Sequence, residues 1–376
     1  MKIISSDSHI VEPPHLWSSG VPREYKDRAP RVIEKGGVDY WFVDGIRCNS
    51  FAGGAQVGAR FEDQAKLKSA ASFSEVRQGA YMPDVHLNEN FSDGVLGSVL
   101  YPTQGLLLFG LQDLGLLHIL CQTYNDWIGE FCSYEPGRLK GVAMVPNDDV
   151  DWAVKELERC HLLGLKGAMI SCAPKSVSSY EHRYYDPFWD KVVQLSMPIS
   201  LHIATDRGGA DFSQAGIVNA DYGVRKTIIS LILGGVFTRF PQLRIGIIEY
   251  ELAWIPFFLE RLDYSYTQRA NREGWSRIDD GKLPSDIFRE NIFVSFQEDP
   301  LGIRDRHTVG INNIMFGSDY PHTESTFPRS VSILQSLLQG LPTEEQNKIC
   351  FENCANLYSF TDVPEFQEIW ALTDKI

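Results

Sequence analysis

Four stretches of this 376-residue chain carry Asp, His or Glu at the end of a short apolar run. Asp7 and His9 follow Lys-Ile-Ile-Ser-Ser, His202 follows Pro-Ile-Ser-Leu, Glu249 follows Arg-Ile-Gly-Ile-Ile, and Asp319 and His322 follow Asn-Ile-Met-Phe-Gly-Ser. Such runs read as buried strands, so each polar residue is expected at or just past a strand's C-terminal end. Asp7 and His9 stand two apart and therefore project from one face of an extended chain. Taken singly, each has a plainer reading: a polar turn, a satisfied core histidine, a solvated strand end, a loop cap. Taken together, they point to one pocket, because unrelated accidents would not all fall at strand exits. Asp7, His9, His202 and Asp319 form a nitrogen and oxygen donor set suited to zinc, manganese or iron. Glu249, if burial raises its pKa, is set for proton transfer, as is Asp319; His322 is placed to orient or polarise a substrate. Glu251, two residues beyond Glu249, is the candidate for the exposed role.

The elements that must position these residues follow a regular alternation. Strand candidates lie at 2–9, 97–101, 139–145, 165–171, 198–204, 244–249, 292–296 and 313–317. Helical patterns near 111–134, 150–163, 186–196, 223–238, 252–272, 284–290 and 300–309 separate them. Eight buried strands joined by helices imply a (β/α)8 TIM barrel, since each parallel strand needs a crossover to reach the next. Chemistry in such folds gathers at the strands' C-terminal ends. A turn-rich loop after His202 (Thr205-Asp206-Arg207-Gly208-Gly209-Ala210-Asp211) reads as part of that rim.

Residues 34–95 break the alternation. Asp44-Gly45 between two β-rich runs signals a hairpin, and Gly53-Gly54-Ala55-Gln56 reads as loop. The stretch is expected to be an inserted cap between strands one and two, either a lid or a surface elaboration. Thr343 and Gln346 have capping-box spacing, and Ile349, Cys350, Cys354 and Leu357 form a core stripe behind them. Residues 363–376 are expected to be a C-terminal arm whose apolar residues dock on a partner subunit, making a homodimer, or on their own barrel. The aromatic stretch 180–189, with His182, reads as rim packing.

Composition narrows the function. A net charge of −14 and a pI near 5.1 leave no basic face for nucleic acid or an anionic membrane. No run reaches the ~18 apolar residues of a membrane span, and Met1 leads directly into a strand, so a cytoplasmic protein is expected. Seven scattered cysteines, never spaced Cys-x-x-Cys, read as reduced thiols. Phosphate-loop, dinucleotide-binding and Gly-x-Ser-x-Gly motifs are missing from the sequence.

Several motifs in order carry a resemblance: Asp7-Ser8-His9-Ile10-Val11-Glu12-Pro13, Leu100-Tyr101-Pro102-Thr103, Tyr124-Asn125-Asp126-Trp127, Arg138-Leu139-Lys140-Gly141, Tyr185-Asp186-Pro187-Phe188-Trp189, His202, Trp254-Ile255-Pro256 with Glu260-Arg261-Leu262-Asp263, and Gly317-Ser318-Asp319-Tyr320-Pro321-His322. Together they resemble the amidohydrolase-related family, the superfamily branch that includes aminocarboxymuconate-semialdehyde decarboxylase and γ-resorcylate decarboxylase. The resemblance implies one divalent metal, zinc ahead of manganese, on Asp7, His9, His202 and Asp319. Two positions depart from the pattern: Asp7 stands where many members have a histidine, and Glu249 stands where the decarboxylases usually have one. The second departure favours metal-dependent hydrolysis of a C–N or related bond in a small cyclic or aromatic compound. Non-oxidative decarboxylation of an aromatic or unsaturated acid is the alternative.

Overall fold

The computed structural model describes residues 1–174, 179–269, 278 and 281–360; the expected arm at 363–376 lies outside them. Among the described residues eleven strands run in chain order: β1 (Ile3–Ile10), β2 (Arg31–Lys35), β3 (Val38–Val43), β4 (Ile46–Ser50), β5 (Val95–Pro102), β6 (Leu139–Met144), β7 (Gly167–Ile170), β8 (Ile199–His202), β9 (Ile245–Ile248), β10 (Ile292–Phe296) and β11 (Ile314–Phe316). Eight of them pair in parallel in the order β1-β5-β6-β7-β8-β9-β10-β11. The loop after β11 returns to β1 through backbone bonds: Asp319 N–H donates to Asp7 C=O at 2.8 Å, and His9 N–H to Tyr320 C=O at 2.6 Å. The (β/α)8 barrel therefore closes at the two exits that carry Asp7, His9 and Asp319. Gly317 permits the closure, because a Cβ there would lie 2.5 Å from Asp7 Cβ and 2.6 Å from Ser295 Oγ.

Burial on both faces explains why most of these strands read as largely apolar runs: every residue of β1, β5 to β9 and β11 is buried, the polar Ser5 to His9 of β1 included. The helices bury one stripe each. In Val150–Leu162 the buried set includes Val150, Ala153, Leu157 and Cys160, and the Asp149 carboxylate caps the helix by accepting from Trp152 N–H at 3.1 Å.

The segment between β1 and β5 forms an antiparallel sheet, β2-β3-β4. Asp44 and Gly45 have φ of 48° and 79°, the left-handed pair a two-residue hairpin requires. Trp17, Trp41, Phe51, Phe73 and Tyr81 follow one another in ring contact, with centroids 4.9 to 5.6 Å apart. This chain of rings holds the segment together, and Trp17 Nε1 ties it to the barrel's helix Leu114–Ser133 by donating to Leu120 C=O at 3.0 Å. Its far end meets the loop after β11, where Thr323 Oγ1 donates to Gly53 C=O at 3.0 Å and Arg60 Nε to Ser325 C=O at 2.9 Å.

Three local expectations are corrected. Residues Ala52–Ala55 form a helical turn rather than a loop, with Gly54 pressed on Val11. The 223–238 pattern divides into helices Asp221–Leu233 and Val236–Arg239 at Gly235, whose φ is +72°. No capping box forms at Thr343, because Pro342 accepts the first helical bond and Thr343 is already helical; the Gln346 amide donates instead to Leu341 C=O at 2.8 Å. The core stripe behind it holds, with Ile349, Cys350 and Cys354 buried.

Candidate metal centre and active site

Each site residue is placed by its own strand. Asp7 and His9 lie near the end of β1, His202 ends β8, Glu249 follows β9, and Asp319 and His322 follow β11. All six meet at the C-terminal mouth of the barrel. His9 Nε2 lies 3.4 Å from Asp7 Oδ1, 3.4 Å from Asp319 Oδ1 and 4.0 Å from Glu249 Oε2. His202 Nε2 lies 3.5 Å from Asp7 Oδ1 and 3.4 Å from Glu249 Oε2. These spacings are long for hydrogen bonds, and they suit atoms facing a shared point.

The imidazole tautomers follow from what lies behind them. His9 Nδ1 is 2.8 Å from Pro102 C=O and His202 Nδ1 is 3.0 Å from Ile203 C=O. A carbonyl can only accept, so each Nδ1 carries the proton and each Nε2 turns a lone pair to the centre. The Asp7 oxygens, Asp319 Oδ2 and the two Nε2 atoms are buried with no hydrogen-bond partner among the described residues. Buried polar atoms left in this state are costly unless something satisfies them. Two carboxylates and two lone-pair imidazoles facing one point fit a divalent cation.

His322 is of a different kind. Its Nδ1 lies 2.8 Å from Asp319 Oδ1 and its Nε2 lies 3.0 Å from Thr103 Oγ1. The Thr103 hydroxyl spends its proton on Ile10 C=O at 2.8 Å, so its oxygen accepts from Nε2. Both ring nitrogens thus carry protons, and the ring is an imidazolium stacked on His9 with centroids 4.0 Å apart.

The charge states agree with this arrangement. Burial opposes the charged form of His322, but the Asp319 carboxylate outweighs it and raises the group to about 9. Burial lowers His9 to about 3, helped by the positive His322. Asp319 is pushed up to about 6 by burial, partly offset by His322. Asp7 is also opposed by burial, yet the imidazoles of His202 and His9 hold it well below the usual carboxylate range. Glu249 is raised well above that range by burial and by the nearby charge of Asp319.

A cavity of about 260 Å³ opens over the centre. Glu249, His322 and Glu324 supply its polar floor, Leu106, Leu107 and Phe212 its apolar wall, and Asn49 and Gly53 reach it from the β2-β3-β4 segment. It shares Ile203, Phe212, Glu249 and Glu324 with an adjoining space of about 720 Å³. Another cavity, about 510 Å³, lies at the opposite end of the barrel beside Pro198, Arg244 and Phe293 and contains none of these residues.

Three neighbours of the site had no assigned role in the sequence. Thr103 is one; Glu324 is another, at the cavity floor. The third is Glu12, buried, whose carboxylate accepts from Gln104 N–H at 2.9 Å and Gly105 N–H at 2.8 Å. Glu12 thereby fixes the turn that presents Thr103. The motif Glu12-Pro13 was visible, but nothing in its spacing tells that the carboxylate folds back onto β5's exit. Glu251 does not take an exposed role; it faces the Gln297 amide at 3.3 Å.

The amidohydrolase family model matches residues 104–360. The chain belongs to this family. Among curated amidohydrolase relatives, it is 28% identical over 262 residues to a γ-resorcylate decarboxylase of Polaromonas sp., covering 62% of this chain and 74% of that one. Against further γ-resorcylate decarboxylases, of Rhizobium and Rhodococcus jostii, the chain spans 64% of their length. Solved structures share the fold. An amidohydrolase of Mycobacterium avium subsp. paratuberculosis superposes with a TM-score of 0.78 at 21% identity, covering 95% of this chain and 99% of that one. A dihydroxybenzoic acid decarboxylase of Polaromonas sp., solved with manganese and 2-nitroresorcinol, gives 0.65 at 18%, covering 97% and 98%. No helix of the described residues is long and apolar enough to cross a membrane.

Proposed function

We propose that this amidohydrolase-family enzyme is a metal-dependent, non-oxidative decarboxylase of a small aromatic or unsaturated acid. The observation that carries the reading is the kinship with decarboxylases over most of the barrel, joined to a ring-sized, apolar-walled cavity over the donor cluster. The Glu249 departure favours hydrolysis in the sequence; that preference rests on one position and gives way to the kinship over 62% of the chain.

Asp7, His9, His202 and Asp319 are the residues that would hold the ion. When bound, a divalent cation supplies positive charge that anchors the substrate carboxylate and a neighbouring ring oxygen. The apolar wall at Leu106, Leu107 and Phe212 holds the ring and excludes water. His322 donates a proton to the ring carbon that bears the carboxylate. As the bond to the carboxyl carbon breaks, its electron pair returns to the ring and CO2 leaves. Water then reprotonates His322, which Asp319 and Thr103 keep oriented throughout. The products are the decarboxylated ring compound and CO2, with one proton consumed.

The test is a panel of hydroxybenzoates, unsaturated acids, amides and lactones incubated with the manganese-loaded protein, with CO2 and cleaved product measured separately. CO2 released with the ring compound supports the reading. Cleavage of an amide or lactone with no CO2 from any acid overturns it in favour of hydrolysis.

A further inference from the structure

The carried-over ligand set places Asp319 as the fourth donor and leaves Glu249 to move protons. The geometry places Glu249 among the donors as well. One oxygen or nitrogen from each of Asp7, His9, His202 and Glu249 lies within 4.8 Å of every other. Four of the six separations within this set are 3.4, 3.5, 3.4 and 4.0 Å. Four donors arranged tetrahedrally at metal–ligand distances of about 2.0 to 2.2 Å stand roughly 3.3 to 3.6 Å apart. Three of the four separations fall in that range, and the fourth needs only a small movement of the Glu249 side chain, which keeps 18% of its surface open.

The backbone supports the placement. Glu249 has φ of +65°, in the left-handed region that a residue with a Cβ enters at a cost. This twist immediately after β9 turns its carboxylate across the barrel mouth toward His202. Asp319, with φ of +56°, is turned inward too, but its Oδ1 is held 2.8 Å from His322.

We infer that Glu249 is itself a ligand of the metal ion, beside Asp7, His9 and His202. The inference stands for a decarboxylase and for a hydrolase alike. With Glu249 bound to the ion, His322 is left as the proton carrier at the cavity floor.

The experiment is metal affinity rather than turnover. The full-length chain is stripped with a chelator and titrated with Mn(II), the free ion being followed by electron paramagnetic resonance. Glu249→Ala is expected to weaken Mn(II) binding by roughly 100-fold or more, since even groups behind the ligands change affinity 10- to 100-fold. In the Co(II)-loaded protein, Glu249→Ala and the near-isosteric Glu249→Gln are both expected to alter the visible absorption bands. Melting temperatures of the metal-free variants serve as the folding control, and the Gln variant decides if the Ala variant does not fold. Mn(II) affinity within about threefold of wild type, or an unaltered Co(II) spectrum in the folded variant, overturns the inference and returns Glu249 to the proton-carrying role.

Discussion

His322 is the site residue whose chemistry depends most on its surroundings. A histidine three residues beyond a strand-end aspartate would ordinarily titrate in water; here it is buried between Asp319 and Thr103 and held as an imidazolium. Its replacement by glutamine keeps a polar side chain and removes the transferable proton. His322→Gln is therefore expected to lower kcat by roughly 10²- to 10⁴-fold. Metal content is expected to stay at the wild-type level, because the Nε2 atoms that face the centre belong to His9 and His202. Elemental analysis alongside steady-state kinetics checks both halves. Loss of metal together with activity would make His322 a supporting residue of the metal centre. All six residues singled out in the sequence converge in space, because strand ends are where an apolar run must stop and barrel chemistry begins. Thr103 and Glu12 were not legible as site residues, since their contacts join β1 and β5 across 93 and 92 positions of sequence.

At the scale of elements, one ionisable contact ties the segment before β5 to the helix Ser330–Leu337. The Asp93 carboxylate accepts from Ser330 N–H at 3.0 Å and from the Ser330 hydroxyl. Burial raises its pKa from 3.8 to about 6 despite both bonds. The sign follows from the raised value: the native state binds this proton more tightly than the unfolded chain. The associated stability is fully present below about pH 4 and is lost as pH rises through about 6. Asn at this position can accept from Ser330 N–H and donate to the hydroxyl without titrating. Asp93→Asn is thus expected to gain a few degrees in Tm relative to wild type between pH 4 and pH 7, measured by thermal melts across that range. A difference that does not vary with pH would show that Asp93 is ionised throughout. The barrel strands after β1 were legible because burial on both faces leaves a largely apolar signal, and β10 was placed at its observed bounds. The helix start at Thr343 was misread for a physical reason. Capping-box spacing was present, but Pro342 takes the N-cap position and Thr343 is already inside the helix, so its side chain is not placed to cap.

For the molecule as a whole, the question is whether the ion holds the fold together or only equips it. The donor cluster occupies one end of a barrel whose interior is a continuous apolar core from Ile3 to Phe360, and the seam between β11 and β1 is closed by backbone bonds independent of any ion. A large core of this kind does not depend on metal as a zinc finger does. Dialysis against a chelator is therefore expected to abolish turnover while leaving the circular dichroism spectrum of the folded barrel unchanged. The metal-free protein should still melt in one cooperative step, at a lower temperature, because an ion bound only to the native state adds about 4 kcal/mol at a thousandfold excess over its Kd. Adding manganese back should restore both activity and the melting temperature. His202→Ala, which removes one buried donor without touching the seam, should reproduce the metal-free state and fail to recover on adding manganese at concentrations that reload wild type. Loss of the folded spectrum on chelation would instead mean that four buried, unsatisfied donors at the barrel mouth cannot be tolerated without the ion. The metal would then be part of the fold.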